Sequence, residues 1–261
     1  MQSIISFPQR GPWGQSSWRG SCSGHIQREL IEHFKPTLFV DICEGSGTSR
    51  DVCRDMGIEY MGFDLHTGTD FTSDYILRLL PRPADLVFSH PPYAGMIDYG
   101  ETGTFTDKAL IDRDLSRCSS TAEFLEKSYL MLLNQREATR EGGIYAVLIG
   151  DLRKKRKFHS FQADFIRMMP RDELISVTIK KQHNCLSDTN RYQGDFIPIR
   201  HEYLLVWKKG KDSTGSIIAG NLLEMQMELC ATGRTHDRIM SMRRQGMKKV
   251  SESLSVAGHA A

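Results

Sequence analysis

Several short segments of this sequence place residues with chemical capacity where apolar runs end. The first is FVDICEGSGTSRDV (Phe39–Val52), a β-type run that ends in an acid and passes through a glycine-bearing turn into a helix start. Gly45 and Gly47 let backbone N–H groups approach a ligand closely, and Thr48 opens the helix, so a nucleoside could lie across the strand's end. The third glycine of the dinucleotide fingerprint is missing, which argues against nicotinamide cofactors. Asp41 repels pyrophosphate but suits a ligand carrying an ammonium group. The next apolar run ends in Asp64, placed to accept hydrogen bonds from ribose hydroxyls. Asp70-Phe71 follows, a carboxylate beside an aromatic ring that suits the amine and face of an adenine. Each acid also has an ordinary reading as a loop residue or helix cap.

The third segment, DLVFSHPPYAGMIDY (Asp85–Tyr99), runs a strand straight into Ser89-His90-Pro91-Pro92-Tyr93. Two prolines remove two N–H donors and stiffen the backbone, leaving outward carbonyl acceptors. His90 and the Pro91 carbonyl can accept the hydrogens of an amino group, and Tyr93 can stack on a base turned out of a duplex. Alone, such a turn serves equally as structure or as a polyproline-type ligand; the glycine turn upstream favours binding. A fourth segment, Arg153-Lys154-Lys155-Arg156-Lys157, is five consecutive cations after a strand. It reads either as a solvated face or as a grip on phosphates.

Positioning these groups requires a sheet. Apolar runs at Thr37–Ile42, Tyr60–Asp64, Ala84–Ser89, Ile144–Asp151, Leu174–Lys181 and Glu202–Lys209 alternate with amphipathic stretches, predicting an α/β fold. The sheet is expected to be mostly parallel and twisted, with helices on both faces and an antiparallel last strand, because Gln182–His201 is too short and polar for a crossover helix. A helix is predicted over Gly24–Phe34, with Ile26, Leu30, Ile31 and Phe34 inward, Ser23 as cap and Pro36 as stop. A longer one is predicted over Ala122–Arg140, ended by Gly142-Gly143. The expected organisation is an arm or flap over 1–23 with two tryptophans, a catalytic domain over 24–210, and a basic helical extension over 211–261.

Composition sets bounds. The 261 residues are 39% hydrophobic and 25% charged, as in ordinary globular chains, and a net charge of +2 is too mild to establish a nucleic-acid partner by itself. No apolar stretch approaches the roughly 18 residues of a membrane span, and the first twenty residues lack a basic-then-apolar signal. The expectation is a cytoplasmic protein with no membrane association. The six cysteines show no zinc-ligand spacing, so reduced thiols and no metal are expected.

Asp41-Ile-Cys-Glu-Gly-Ser-Gly-Thr48 resembles the cofactor motif of the DNA amino-methyltransferases, and Ser89-His-Pro-Pro-Tyr93 resembles their catalytic (Asp/Asn/Ser)-Pro-Pro-(Tyr/Phe) motif. Gly142–Asp151 and His201–Lys209 resemble later strands of that family, so the likeness spans roughly Gly24 to Lys209. Asp112–Ser116 is similar to a segment of members that also carry histidine before Pro-Pro-Tyr. The resemblance implies a Rossmann-like class I methyltransferase. S-adenosylmethionine would be bound by Asp41, Cys43, Glu44, Gly45, Gly47, Thr48, Asp64, Asp70, Phe71 and Ser89. His90, Pro91, Pro92 and Tyr93 would hold the base, and Arg153, Lys154, Lys155, Arg156 and Lys157 the DNA. It implies methylation of an exocyclic amine; the family's rule for naming the base does not extend to His90, adenine is slightly favoured over cytosine, and a homodimer is one assembly it allows.

His90 departs from that pattern, since family members generally carry Asp, Asn or Ser there. A member that binds nucleic acid without turnover therefore stays open, and so does an RNA or protein-glutamine methyltransferase, since these share the Pro-Pro-Tyr device.

Overall fold

The structure, a computed structural model, describes residues 1–101, 108–183 and 196–211. Its elements in chain order are β1 (Ile4–Ser6), α1 (His25–Phe34), β2 (Leu38–Asp41), α2 (Thr48–Met56), β3 (Glu59–Gly62), α3 (Ile76–Leu79), β4 (Ala84–Ser89) and α4 (Lys108–Ile111). There follow α5 (Thr121–Ala138), β5 (Thr139–Ile149), β6 (Leu152–Lys154), β7 (Lys157–His159), α6 (Phe161–Met168), β8 (Leu174–Lys181) and β9 (His201–Lys208).

Seven strands form one sheet in the order β1-β8-β9-β5-β4-β2-β3. Every pairing is parallel except those of β9, which runs antiparallel to both β5 and β8. The central strands are apolar along their length because both faces are covered. On one face, Phe39, Leu86, Phe88, Ala146 and Leu148 meet Ile26, Leu30 and Ile31 of α1 and Val52 and Cys53 of α2. On the other, Val40, Val87, Tyr145, Val147 and Trp207 meet Phe124, Met131 and Leu132 of α5 and Phe161 and Phe165 of α6. Tyr145 and Trp207 stack nearly parallel, 5.3 Å between centroids.

The expected class is found: a Rossmann-like, mostly parallel sheet with an antiparallel last strand and helices on both faces. Three local features differ from expectation. Residues 1–23 contribute β1, which pairs parallel with β8, so the arm is part of the sheet. Helix α5 ends at Ala138 and passes directly into β5, so the two glycines lie inside the strand rather than after the helix. There Gly142 adopts φ 70° and accommodates a register shift against Ala84–Leu86. Third, the basic run folds into a hairpin of β6 and β7. Its turn residues Lys155 and Arg156 both have positive φ, a geometry usually signalled by Asn-Gly.

At α1, Gly24 occupies the cap position, while Ser23 Oγ accepts only a long bond from the His25 N–H, 3.4 Å. The long connection through 184–195 and the extension over 212–261, with its predicted helix and basic tail, lie outside the described residues.

Candidate active site

The sheet changes winding direction at β2, whose neighbours are β3 on one side and β4 on the other. Open α/β sheets bind ligands beyond the strand ends at such a point. An open cleft lies there, lined by residues following β2, β3 and β4. The chain around it is tightly registered: the Ile42 N–H donates to the Phe88 carbonyl over 3.1 Å, and the Phe63 N–H to the Asp41 carbonyl over 2.8 Å.

Asp41 is buried at the end of β2. It accepts from the Cys43 N–H at 2.9 Å and from the Ser49 hydroxyl, which fixes the glycine turn onto α2. Burial raises its pKa to about 7, despite those two donors. Gly45 (φ 52°) and Gly47 (φ 80°) take the left-handed conformations the turn needs. The Gly45 N–H donates to Asp64 Oδ2 at 2.8 Å. Asp64 Oδ1 lies 2.6 Å from His66 Nδ1, and this bond raises the His66 pKa against the opposing effect of burial. Glu44 accepts from Tyr60 and Arg50.

Asp70 is also buried; its Oδ1 accepts from the Thr72 N–H and hydroxyl, and Arg113 Nη2 lies 2.8 Å from its Oδ2. The loop carrying Asp70 and Phe71 is held by Asn134 of α5. That side chain donates to the carbonyls of Phe71 and Asp74 and accepts from the Ile76 N–H.

Of the residues expected to bind cofactor, Asp41, Cys43, Glu44, Gly45, Thr48, Asp64, Asp70 and Phe71 line the cleft together. Gly47 shapes the turn behind it. Ser89 does not reach it: fully buried, it donates to Gln135 Oε1 at 3.0 Å, while Gln135 Nε2 donates to the carbonyls of Val87 and Ala146. Gln135 thereby staples β4 to β5 directly beneath the His-Pro-Pro segment.

His90 and Pro92 line the cleft; Pro91 and Tyr93 do not. The Tyr93 ring is 9% exposed and abuts Gly150, where an added Cβ would stand 2.9 Å from it. Its hydroxyl donates to Glu202 Oε1 at 2.9 Å and lies 2.8 Å from His90 Nε2. Tyr93 is thus not placed to stack on a base, because the diproline turn directs its ring into the core. Burial lowers the His90 pKa to about 4, so its imidazole is neutral.

Sequence reasoning misses several lining residues. Trp18 lies near His66 and Tyr99, and Tyr99 donates to the Arg19 carbonyl, so the N-terminal arm roofs the cleft. The sequence marks the arm's tryptophans, but not which one faces the site. Asp114, inside the noted 112–116 segment, also lines the cleft, with its pKa raised by burial. Gln27 is 1% exposed, and among the described residues its Oε1 has no hydrogen-bond partner. Its signal is a polar residue within the apolar stripe of Ile26, Leu30 and Ile31.

The cleft's donor set suits a cationic nucleoside. Asp41, Glu44, Asp64, Asp70 and Asp114 surround it, and the unsatisfied Gln27 acceptor calls for an N–H or ammonium donor. Such a wall would repel a phosphate chain.

In the β6–β7 hairpin, Arg153 lies over the rings of Phe158 and Phe196 and donates to the Ile197 carbonyl. Lys154, Lys155, Arg156 and Lys157 stand on the same hairpin, with Lys154 Nζ beside Gly95. Cys22, Cys43, Cys53 and Cys118 are free thiols, and burial raises each pKa. Among the described residues no cluster of His, Cys, Asp or Glu could hold a metal, and no helix is long and apolar enough to cross a membrane.

Sheet order and cleft position together define a Rossmann-like domain with a ligand cleft at the point where the winding reverses. No protein-family model and no curated protein matches the chain. Among solved structures it is similar to a SAM-dependent methyltransferase from Archaeoglobus fulgidus, at 15% identity and TM-score 0.43, covering 71% of this chain and 92% of that one. It is similar to a protein described as a DNA modification methylase from Thermus thermophilus, at 19% identity and TM-score 0.37, covering 56% and 53%. An rRNA methylase from Streptococcus thermophilus matches at 14% identity and TM-score 0.32, covering 72% and 96%. The chain spans about half the length of the Thermus structures it matches. At these identities the likeness is one of fold.

Proposed function

We propose that this chain transfers a methyl group from S-adenosylmethionine to the exocyclic amine of a base in DNA, adenine ahead of cytosine. One observation carries the reading: an acid-rich cleft and a histidine on a diproline turn share one wall, linked through the Ile42–Phe88 bond.

When bound, S-adenosylmethionine supplies an electrophilic sulfonium methyl for a nucleophilic nitrogen. Gln27 Oε1 and Asp41 would meet its ammonium end, Asp64 its ribose hydroxyls, and Phe71 with Asp70 its adenine. Glu44, Thr48 and Cys43 complete the wall. An aromatic amine is a weak nucleophile because its lone pair is delocalised. His90 and the rigid turn would hold its hydrogens so that the lone pair points at the methyl, and orientation supplies most of the acceleration. With a pKa of about 4, His90 is a weak base, and the released proton goes to water. Tyr93 acts by holding His90. The Arg153–Lys157 hairpin would contact phosphates, and its placement beside Gly95, just after the catalytic turn, supports this.

The test is transfer of labelled methyl to DNA, RNA and protein, followed by base analysis of the product. Incorporation as N6-methyladenine or N4-methylcytosine supports the reading. Label in RNA or glutamine only moves the substrate to those classes, and cofactor binding without transfer to any acceptor overturns catalysis.

A further inference from the structure

Four side chains form a line running from the cleft wall into the sheet. His90 Nε2 lies 2.8 Å from the Tyr93 hydroxyl, which lies 2.9 Å from Glu202 Oε1; Lys180 Nζ donates to Glu202 Oε2 at 2.7 Å. Lys180 and Glu202 stand directly opposite in the β8–β9 register, which fixes the pair to the rigid frame. Glu202 is 5% exposed.

The hydrogens in this line can be placed by counting. Burial disfavours the Glu202 carboxylate, but the Lys180 ammonium outweighs it, helped by the hydrogen bond from Tyr93, so Glu202 is ionised and can only accept. Tyr93 has one hydrogen, and the carboxylate claims it. Toward His90 the hydroxyl can therefore only accept, so the hydrogen between them sits on Nε2. A neutral imidazole has only that one hydrogen, which leaves Nδ1 with a bare lone pair. Nδ1 makes no hydrogen bond among the described residues, and His90 lines the cleft.

We infer that Glu202, acting through Tyr93, is a positioning residue that locks His90 as the Nε2–H tautomer and presents Nδ1 to the cleft as an acceptor for an N–H donor. That the donor is the substrate's amino group rests on the function proposed above; the tautomer lock does not. The lock explains how histidine serves at a position where the resembling family uses Asp, Asn or Ser. Each of those offers an oxygen lone pair in any protonation pattern it adopts at neutral pH, whereas histidine offers a lone pair to the cleft in one tautomer only. A second buried residue must choose it.

The experiment is long-range ¹H–¹⁵N NMR on the full chain with ring-labelled histidine at about pH 7.5, His90 being assigned by the signals lost in His90→Asn. The wild type is expected to show a neutral ring with hydrogen on Nε2. Tyr93→Phe removes one oxygen and leaves the Glu202–Lys180 pair intact; it should abolish that pattern, as should Glu202→Leu. Glu202→Gln has one oxygen, which the Lys180 ammonium claims, so its NH2 faces the Tyr93 hydroxyl and the pattern should be lost there too. A wild-type ring protonated on Nδ1, or an unchanged pattern in Tyr93→Phe, overturns the inference. In methyl-transfer assays, Tyr93→Phe and Glu202→Gln should each lower kcat by about tenfold or more while cofactor Kd stays within about twofold. If the wild type transfers methyl to nothing yet shows the Nε2–H pattern, the proposed function falls and the lock stands.

Discussion

The Gly45 N–H donates directly to Asp64 Oδ2 over 2.8 Å, across 19 residues of chain. One carboxylate thus holds the glycine turn in shape and lines the cleft, where the proposed function has it meet ribose hydroxyls. Asp64→Ala should weaken cofactor binding by about tenfold to a hundredfold, the worth of a hydrogen bond to a charged group. Calorimetry with S-adenosylmethionine reads this, and an unchanged Kd removes Asp64 from the site.

Asp41 makes a signed pH prediction. Its pKa is raised from 3.8 to about 7 in the folded chain, so the native state binds the extra proton between those values. Its contribution to stability therefore declines as pH rises from about 4 to about 7 and is flat above. His90, lowered from 6.5 to about 4, works in the opposite direction over an overlapping window, losing stability on acidification. The clean readout is a difference: Asp41→Asn should melt above the wild type by several degrees at about pH 8, with the gap closing toward about pH 4. A pH-independent gap contradicts the assignment.

Gln135 makes three buried hydrogen bonds, to Ser89 and to the carbonyls of Val87 on β4 and Ala146 on β5. Gln135→Leu should cost about 2–4 kcal/mol in denaturant unfolding, since it strands the Ser89 hydroxyl as well as losing its own bonds. A cost below about 0.5 kcal/mol would show that the staple is incidental.

Of the three tryptophans, Trp207 is fully buried and Trp13 donates to Asp55 away from the cleft, while Trp18 lines it. Adding S-adenosylmethionine should change the intrinsic fluorescence of the wild type and leave Trp18→Phe nearly silent. An equal response in both would place the ligand elsewhere.

Lys155 and Arg156 sit at the exposed turn of the hairpin. Replacing both with alanine should weaken DNA binding at every sequence alike. The slope of log K against log salt should become shallower by about 1 to 2. Unaltered affinity and slope would make the run a solvated face.

How much of this is legible in the sequence follows a physical line. Strands β2, β4, β5 and β9 are legible because continuous apolar runs report burial on both faces, β8 because its run is rich in β-branched residues although Ile175 and Ile179 stand exposed, and the Ser89–Tyr93 and Asp41–Thr48 segments because prolines and glycines act locally. Strand β1 has three residues with only Ile5 buried, too short to show a period. Asn134, Gln135 and Gln27 escape because a polar residue on a buried helix face declares its purpose only when the distant backbone or cavity it meets is known. Tyr93 misleads in a similar way: its type suggests stacking, and only Gly150 and Glu202, far along the chain, show that the ring turns inward.

Strand β1 lies at the sheet margin remote from the cleft, yet the same stretch of chain goes on to place Trp18 and Arg19 as its roof. The arm is thereby a strap, anchored on the far rim and buckled over the cleft. Loosening the anchor, by breaking the pairing of β1 with β8, would slacken the buckle and so reach the cleft from the opposite side of the molecule.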